Sequence, residues 1–172
     1  MELKTLMLHP QRRTLAVAES LTCGRVQARI GLISGASEFF LGGLTAYSLD
    51  QKVRHLGVVR ATAVADNCVS AAVAEQMARG VCALFGSELG VATTGYAEPF
   101  TGTAAATAGS VTPASVTQPF AFWALAHELG GGRRTLRHGR VDCPGAGRTQ
   151  VQERVAEVVI AELVIYLRTL RG

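Results

Sequence analysis

The sequence predicts a single α/β domain of three layers, in which helices cover both faces of a mixed β-sheet. Short apolar runs alternate with segments of helical periodicity through most of the chain, and two strand-like segments joined by a glycine turn follow near its end. Alternating strands and helices form parallel sheets, whereas a hairpin adds antiparallel strands. The 172 residues fit one domain, and we assign residues 1–172 to it.

The predicted strands are short apolar runs bounded by polar residues or turns. Glycines in the second run permit close approach of a neighbouring backbone. The three glycines at positions 130–132 favour a hairpin turn between the last two strands. The five predicted strands span residues 14–18, 41–47, 89–93, 120–127 and 133–141.

The predicted helices carry apolar residues at intervals of three or four. The clearest one spans residues 70–85, where Ser70 precedes an apolar stripe made of Val73, Met77, Val81 and Leu84. Serine and threonine cap helix N-termini well. The other predicted helices span residues 24–30, 48–56 and 148–170, with Thr22 and Ser48 as caps of the first two.

Residues 94–118 have a different composition, rich in glycine, alanine, serine, threonine and proline. The pattern predicts a long loop within the domain. Loops of this length in compact domains are usually functional or disordered.

Composition excludes several classes of protein. Hydrophobic residues make up 48% and charged residues 17%, which is typical of a globular domain. The formal net charge of +4 suits an anionic small-molecule substrate. Nucleic-acid binding is disfavoured, because the C-terminal arginines are dispersed and only 6% of residues are aromatic.

Metal, cofactor and membrane functions are also not predicted. The four cysteines form no C-x-x-C pair and the four histidines have no metal-ligand spacing, so we expect free thiols, no metal and no cofactor. The N-terminus lacks the pattern of a signal peptide, and the apolar stretch near the C-terminus is interrupted by glutamates. We therefore expect a cytoplasmic protein without a membrane partner.

Six segments match one known family in order and spacing. Residues 18–24 (AESLTCG) match A-E-S-C-T-G-G, residues 41–52 (LGGLTAYSLDQK) match the last twelve positions of F-x-G-G-x-x-x-Y-S-N-x-x-K, and residues 94–99 (TGYAEP) match T-G-I-A-G-P. Residues 35–37 (GAS) stand where the family has G-S-S, and shorter matches lie at 56–58 and 69–70. Across nearly its whole length the sequence resembles the C-terminal domain of the CinA (competence/damage-inducible) family.

The resemblance implies a metal-independent amidohydrolase. Members of the family deamidate nicotinamide mononucleotide (NMN) to nicotinic acid mononucleotide and ammonia, and they serve pyridine-nucleotide salvage. The resemblance also implies a homo-oligomer and a Ser-Tyr-Lys catalytic set, which carries over to Ser37 as nucleophile with Tyr47 and Lys52 beside it. The matched segments further provide expected substrate-binding residues, namely Ser20, Thr22, Gly42, Thr94 and Gly95.

The residue types fit this chemistry. A serine attacks an amide only if a base removes its hydroxyl proton, and a desolvated lysine is such a base. Lys52 lies one turn into a predicted helix and Tyr47 ends the strand before it, so both are expected at the carboxyl edge of the sheet, where α/β domains bind ligands. Ser20, which follows the first strand, is the alternative nucleophile. Glu19 is a candidate for positioning the site.

A phosphate site is predicted at the start of the last helix. Residues 144–149 (PGAGRT) precede this helix, whose first backbone amides suit an anion. Arg148 would add a bidentate contact, and it aligns with an arginine of the family's G-D-R pattern. The alternative phosphate contacts are Arg133, Arg134 and Arg137 on the preceding strand.

Several positions depart from the family pattern. Leu49 stands where the family often has asparagine, Glu98 replaces a glycine, and Ala121 and Phe122 replace a glycine and a threonine. We expect these substitutions around the substrate pocket. They indicate either a changed amide substrate or, as the alternative, a divergent non-catalytic protein of the same fold that binds a nucleotide or another partner.

Overall fold

The computed structural model describes residues 2–100 and 115–171. Eleven elements in these ranges alternate between helix and strand for most of the chain, as the sequence predicts. In chain order they are α1 (Glu2–Leu8), β1 (Leu15–Glu19), α2 (Arg25–Gly31), β2 (Phe40–Thr45), α3 (Leu49–Leu56), α4 (Arg60–Ala65), α5 (Ala71–Phe85), β3 (Leu89–Tyr96), β4 (Phe120–Gly130), β5 (Arg133–Asp142) and α6 (Arg148–Thr169).

The sheet is mixed, which confirms the prediction. Its strand order is β2-β1-β3-β4-β5. Strand β1 is parallel to both β2 and β3, while β4 runs antiparallel to β3 and β5 antiparallel to β4. The three parallel strands therefore end at one edge, at Glu19, Thr45 and Tyr96.

Helices form a layer on each side of the sheet. Helices α1, α2 and α6 contact one another or the sheet on one face, and α3, α4 and α5 pack together on the other. Right-handed crossovers explain this division. The chain passes through α2 to reach β2 on one side of β1, then returns through α3–α5 to β3 on the other side, so the two connections cover opposite faces. Within the described ranges, no helix has the length and apolarity needed to span a membrane.

The two faces of the sheet differ in their packing. The face towards α6 carries large aliphatic residues, among them Leu15, Val17 and Leu125. The face towards α5 is lined mostly by alanines, including Ala16, Ala92 and several on α5 itself. Small side chains allow the backbone of α5 to lie close to the strands of the sheet.

The structure differs from the sequence prediction around residue 94. Strand β3 continues through Tyr96, because residues 94–96 pair with Phe120, Ala121 and Phe122 of β4. At Gly95 a Cβ would lie 2.5 Å from the Phe120 carbonyl oxygen, so glycine permits this pairing. The central part of the predicted loop, residues 101–114, lies outside the described residues. The short helices α1 and α4 were not predicted.

Candidate active site

A pocket of about 340 Å³ opens at the edge where the parallel strands end. The chain leaves β1 towards β2 and later returns to β3 on the opposite side, so the crevice between β1 and β3 is the position where open α/β sheets bind ligands. Residues from three strand ends, α3 and the start of α6 meet there. The polar side chains lining the pocket belong to Ser20, Tyr47, Lys52, Asn67, Cys68, Thr94, Tyr96, Glu98 and Arg148.

Lys52 and Ser20 form the centre of the pocket. The Lys52 ammonium donates to Ser20 Oγ at 3.0 Å and to the Tyr47 carbonyl oxygen at 3.0 Å. Ser20 follows the last residue of β1, and Lys52 lies in the first turn of α3, which follows β2. Parallel pairing of these strands places the two side chains at the same edge.

Burial changes the acid–base behaviour of Lys52. Only 1% of the residue is exposed, and it forms no ion pair with a carboxylate among the residues described. Burial therefore lowers the pKa of the Lys52 ammonium below its ordinary value of 10.5, with a small opposing effect from the neighbouring Cys68. A lysine in this condition gives up its proton more readily and is therefore better suited to act as a base.

The turn after Ser20 is fixed by contacts to two other elements. The Ser20 amide donates to the Thr93 carbonyl at 3.0 Å, and Thr22 shares a hydrogen bond of 2.7 Å between its hydroxyl and that of Thr93. From α6, the buried Gln152 side chain donates to the Leu21 carbonyl at 2.7 Å. The nucleophile candidate is thus preorganised. Gln152 was not predicted as a site residue, because a single polar residue on the inner face of a helix has no distinctive sequence pattern.

Glu19 anchors the start of α2. Its fully buried carboxylate accepts the backbone amides of Gly24 at 2.9 Å, Val26 at 3.2 Å and Gln27 at 2.9 Å. This corrects the prediction that Thr22 caps the helix, since the helix is preceded by Gly24 and its free amides are satisfied by a side chain from the end of β1. Thr22 itself is buried beneath the pocket and does not line it.

Ser37 is not brought to the pocket, which corrects the predicted arrangement. It lies in a single 3₁₀ turn, Ala36–Glu38, and is exposed. This turn precedes β2, whereas Tyr47 and Lys52 follow it. The six residues of β2 span about 17 Å, so Ser37 belongs to the opposite edge of the sheet.

Tyr47 contacts the two halves of the pocket differently. Its backbone carbonyl accepts from Lys52, while its hydroxyl lies 3.4 Å from Nη1 of Arg148, the first residue of α6. The same arginine donates from Nη2 to Glu98 at 2.6 Å. The side chain of Tyr47, which is 56% exposed, therefore belongs to the arginine end of the pocket.

The remaining predicted binding residues divide into two groups. Thr94 and Gly95 line the pocket at the end of β3, and the Thr94 hydroxyl donates to the Cys68 carbonyl at 2.6 Å. Gly42 lies in the middle of β2, paired with Ala16 and away from the pocket. A Cβ there would approach the Phe85 ring to 2.9 Å at a φ of +138°, so Gly42 serves the packing of α5.

The residues that depart from the family pattern also fall into two groups, one in the pocket and one in the cores. Leu49 and Glu98 line the pocket, as predicted. Ala121 and Phe122 do not, because they lie within β4 and face the two cores: Ala121 is fully buried on the α6 side, and Phe122 packs against the α5 side. Only the first two substitutions therefore alter the pocket itself.

Two pocket residues were not anticipated. Asn67 and Cys68 have φ angles of 46° and 63°, in the left-handed region that non-glycine residues rarely adopt. The Asn67 amide donates to the Tyr96 hydroxyl at 2.8 Å, which joins this segment to the end of β3. No group of histidine, cysteine, aspartate and glutamate side chains in residues 2–100 and 115–171 is placed to hold a metal ion.

A mixed sheet with a buried serine–lysine pair at the end of its parallel strands defines the class of α/β domain to which this chain belongs. The chain belongs to the CinA C-terminal domain family, whose model matches residues 2–144. A CinA-like protein of Chlorobium limicola is 34% identical over 166 residues, which is 96% of this chain and 36% of that protein. A putative competence-damage inducible protein of Moorella thermoacetica is 44% identical over 93 residues, which is 54% of this chain and 22% of that protein. The chain thus spans about a third or less of the length of these relatives.

Solved structures share the fold. The competence damage-inducible protein A of Klebsiella pneumoniae superposes with a TM-score of 0.77 at 23% identity, covering 97% of this chain and 93% of that one. The competence/damage inducible protein CihA of Agrobacterium tumefaciens gives 0.75 at 24% identity, covering 98% and 96%. At these identities the likeness concerns the fold, and it agrees with the predicted α/β architecture.

Proposed function

We propose that the chain is a serine amidohydrolase in which Ser20 is the nucleophile and Lys52 the general base. The observation that carries the proposal is the contact of 3.0 Å between Lys52 Nζ and Ser20 Oγ inside the pocket, where Lys52 has no carboxylate partner among the described residues. It moves the nucleophile from Ser37 to Ser20, the alternative that the sequence offered. Membership of the CinA family supports an amide substrate of the NMN type and a role in pyridine-nucleotide salvage.

The reaction proceeds in two halves. Neutral Lys52 donates one N–H to the Tyr47 carbonyl and accepts the Ser20 hydroxyl proton through its lone pair. Ser20 Oγ then attacks the amide carbon, and the Lys52 ammonium returns the proton to the departing amine, which leaves as ammonia. Water, deprotonated by Lys52, cleaves the resulting ester and releases the carboxylic acid. Lys52 and Ser20 are regenerated.

The tetrahedral intermediate needs hydrogen-bond donors for its oxyanion. We assign this role to the backbone amide of Leu21, which directly follows the nucleophile and lines the pocket. In the turn after β1, Ser20, Cys23, Gly24 and Arg25 donate to acceptors, whereas no acceptor within the described residues takes the amides of Leu21 and Thr22. Thr94, Gly95 and Arg148 would contact the rest of the substrate.

The test is ammonia release from NMN and from a panel of simple carboxamides. We expect turnover by the wild-type protein, and a loss of at least about 10³-fold in kcat for Ser20→Ala and for Lys52→Met, because each removes a member of the proton-transfer pair. Ser37→Ala is the matched control, a serine-to-alanine change at the opposite edge of the sheet, and it should keep the wild-type rate. Loss of activity in Ser37→Ala with retention in Ser20→Ala would overturn the assignment.

The alternative is a non-catalytic protein that binds a nucleotide in the same pocket. Leu49 and Glu98 favour it, because both depart from the family pattern in the lining of the pocket. This alternative predicts saturable ligand binding without ammonia release. Turnover that disappears in Ser20→Ala would exclude it.

A further inference from the structure

One end of the pocket carries charges from two distant segments. Glu98 follows β3 and Arg148 begins α6, and their side chains meet at 2.6 Å between Oε1 and Nη2. The same guanidinium also lies 3.4 Å from the Tyr47 hydroxyl. All three residues line the pocket.

The pocket contains few other charges. Among its lining residues in the described part of the chain, the charged side chains are Lys52, Glu98 and Arg148. Lys52 points to Ser20 and the Tyr47 carbonyl and is needed without its proton for catalysis. Glu98 and Arg148 then cancel, so the working pocket has no net charge.

Another part of the pocket wall is apolar and aromatic. Leu49, Tyr96 and Phe100 line it, and the rings of Tyr96 and Phe100 stack with centroids 5.7 Å apart at an interplanar angle of 24°. A planar ring can pack on such a surface. The wall offers no additional cation to an anionic group.

We propose that Glu98 is a specificity-determining residue: by holding Arg148, it directs the pocket towards amides that carry no phosphate group, such as a pyridine carboxamide nucleoside. The inference rests on the proposed amidohydrolase function and narrows its substrate class. A phosphate that bound Arg148 would either displace the Glu98 carboxylate from Nη2 or lie beside it on the same guanidinium. The negative charges of the phosphate and the Glu98 carboxylate would repel each other, which lowers the affinity for the phosphorylated compound alone.

The arrangement is specific because Glu98 does not touch the reacting end of the pocket. Its only described hydrogen bond is with Arg148, while Ser20 and Lys52 are joined to each other. A change at Glu98 should therefore alter discrimination between substrates and leave the chemical step intact.

The experiment compares NMN with its dephosphorylated nucleoside, nicotinamide riboside, in four proteins: wild type, Glu98→Gln, Arg148→Ala and the double variant. We expect the wild type to have the higher kcat/KM for the riboside. Glu98→Gln should shift the ratio towards NMN by at least about tenfold, with kcat for the riboside within about twofold of wild type. In the double variant this shift should vanish, because the freed arginine is its source.

Glu128→Gln is the matched control. Glu128 pairs with Arg134 at 2.6 Å, the same distance as Glu98 with Arg148, but outside this pocket. Its substitution should leave the ratio unchanged. A ratio that Glu98→Gln leaves unchanged, or that moves equally in Glu128→Gln, would overturn the inference.

Calorimetric binding of both compounds separates this inference from the proposed function. If the wild type hydrolyses neither compound, the amidohydrolase function fails. A tighter binding of NMN alone in Glu98→Gln, by about tenfold, would still support the role of Glu98. Equal affinity changes for both compounds, or binding of neither, would overturn it.

Discussion

At the scale of one residue, the burial of Lys52 in the candidate active site lowers the stability of the folded protein. A buried lysine without a counter-ion is disfavoured in its charged form, and the two neutral oxygens that it contacts compensate only in part. The cost is largest when the side chain is protonated. Ionisable residues with perturbed pKa values cluster at functional sites, so the lowered pKa of Lys52 is consistent with a role in proton transfer.

Stability should therefore depend on pH through Lys52. The unfolded lysine titrates near its ordinary pKa of 10.5 and the folded one at a lower pKa, so the unfolded state binds more protons between these two values. The free energy of unfolding must rise with pH across this window, and the penalty is fully present below the lowered pKa. Lys52→Met removes this dependence.

The measurement is urea unfolding of wild type and Lys52→Met from about pH 6 to about pH 10, close to the ordinary pKa of lysine. The neighbouring Cys68 thiol, whose pKa is raised by burial, is present in both proteins. We expect Lys52→Met to be the more stable protein at the acid end, with the difference shrinking by at most about 1.4 kcal/mol per pH unit as pH rises. A difference that does not change with pH would contradict the lowered pKa.

At the scale of elements, the join between β1 and α2 depends on Glu19. Helix α2 has only seven residues and no side-chain cap at its own N-cap position. Three of its first amides donate instead to one carboxylate, which also fixes the turn that carries Ser20. Hydrogen bonds to a buried charged acceptor are the strong kind.

Glu19→Gln should weaken both the helix and the site. Glutamine presents an NH₂ group to backbone amides that need an acceptor, so we expect a loss of about 2 kcal/mol or more in unfolding free energy and a lower kcat. Chemical denaturation and ammonia release measure the two effects. Glu88→Gln is the control, because Glu88 accepts one amide, that of Thr14, at the other end of the sheet. Equal losses of activity in both variants would contradict a positioning role for Glu19.

Most of the helices and strands could be predicted from the sequence. Five strands and the longer helices were predicted with ends shifted by a few residues, because hydrophobic periodicity reports burial directly. Helices α1 and α4, of seven and six residues, are too short for a clear period. The segment at Thr94 has the composition of a loop, yet pairing with β4 extends β3 through it, and pairing between distant segments is invisible in local composition.

The site was predictable to a similar extent. Lys52, Ser20 and Arg148 lie in the pocket because residues that follow parallel strands, or precede a helix at the same edge, converge there. Ser37 precedes β2, so the length of a strand separates it from that edge. The contacts of Gln152 and Asn67, and the ion pair between Glu98 and Arg148, depend on side-chain geometry that spacing along the chain does not encode.

At the scale of the whole molecule, the distance between α5 and the sheet sets one wall of the pocket. Cys68 and Val69 line the pocket immediately before α5 begins, and the Cys68 carbonyl is held by Thr94 of β3. Small residues at the interface keep the helix close to the strands. Gly90 of β3 faces the Ala78 carbonyl oxygen and the Cys82 sulfur of α5, and a Cβ at Gly90 would overlap with both atoms.

Gly90→Ala should therefore displace α5 and deform the pocket from a distance. Overpacking of this kind costs about 1–3 kcal/mol in unfolding free energy. We also expect a reduced kcat/KM for the amide substrate, because the segment of Cys68 and Val69 would move with the helix. Denaturant unfolding and ammonia release measure the two effects in the same protein.

Gly31→Ala provides the matched control for the added methyl group. Gly31 is the last residue of α2, and a Cβ there would meet no atom within 4 Å. Alanine in a helix reduces the freedom of the unfolded chain, so this variant should be as stable as wild type or slightly more stable. If Gly90→Ala matched Gly31→Ala in both stability and activity, the sheet face under α5 would be loose enough to absorb a methyl group. The close packing of that helix would then not define the pocket wall.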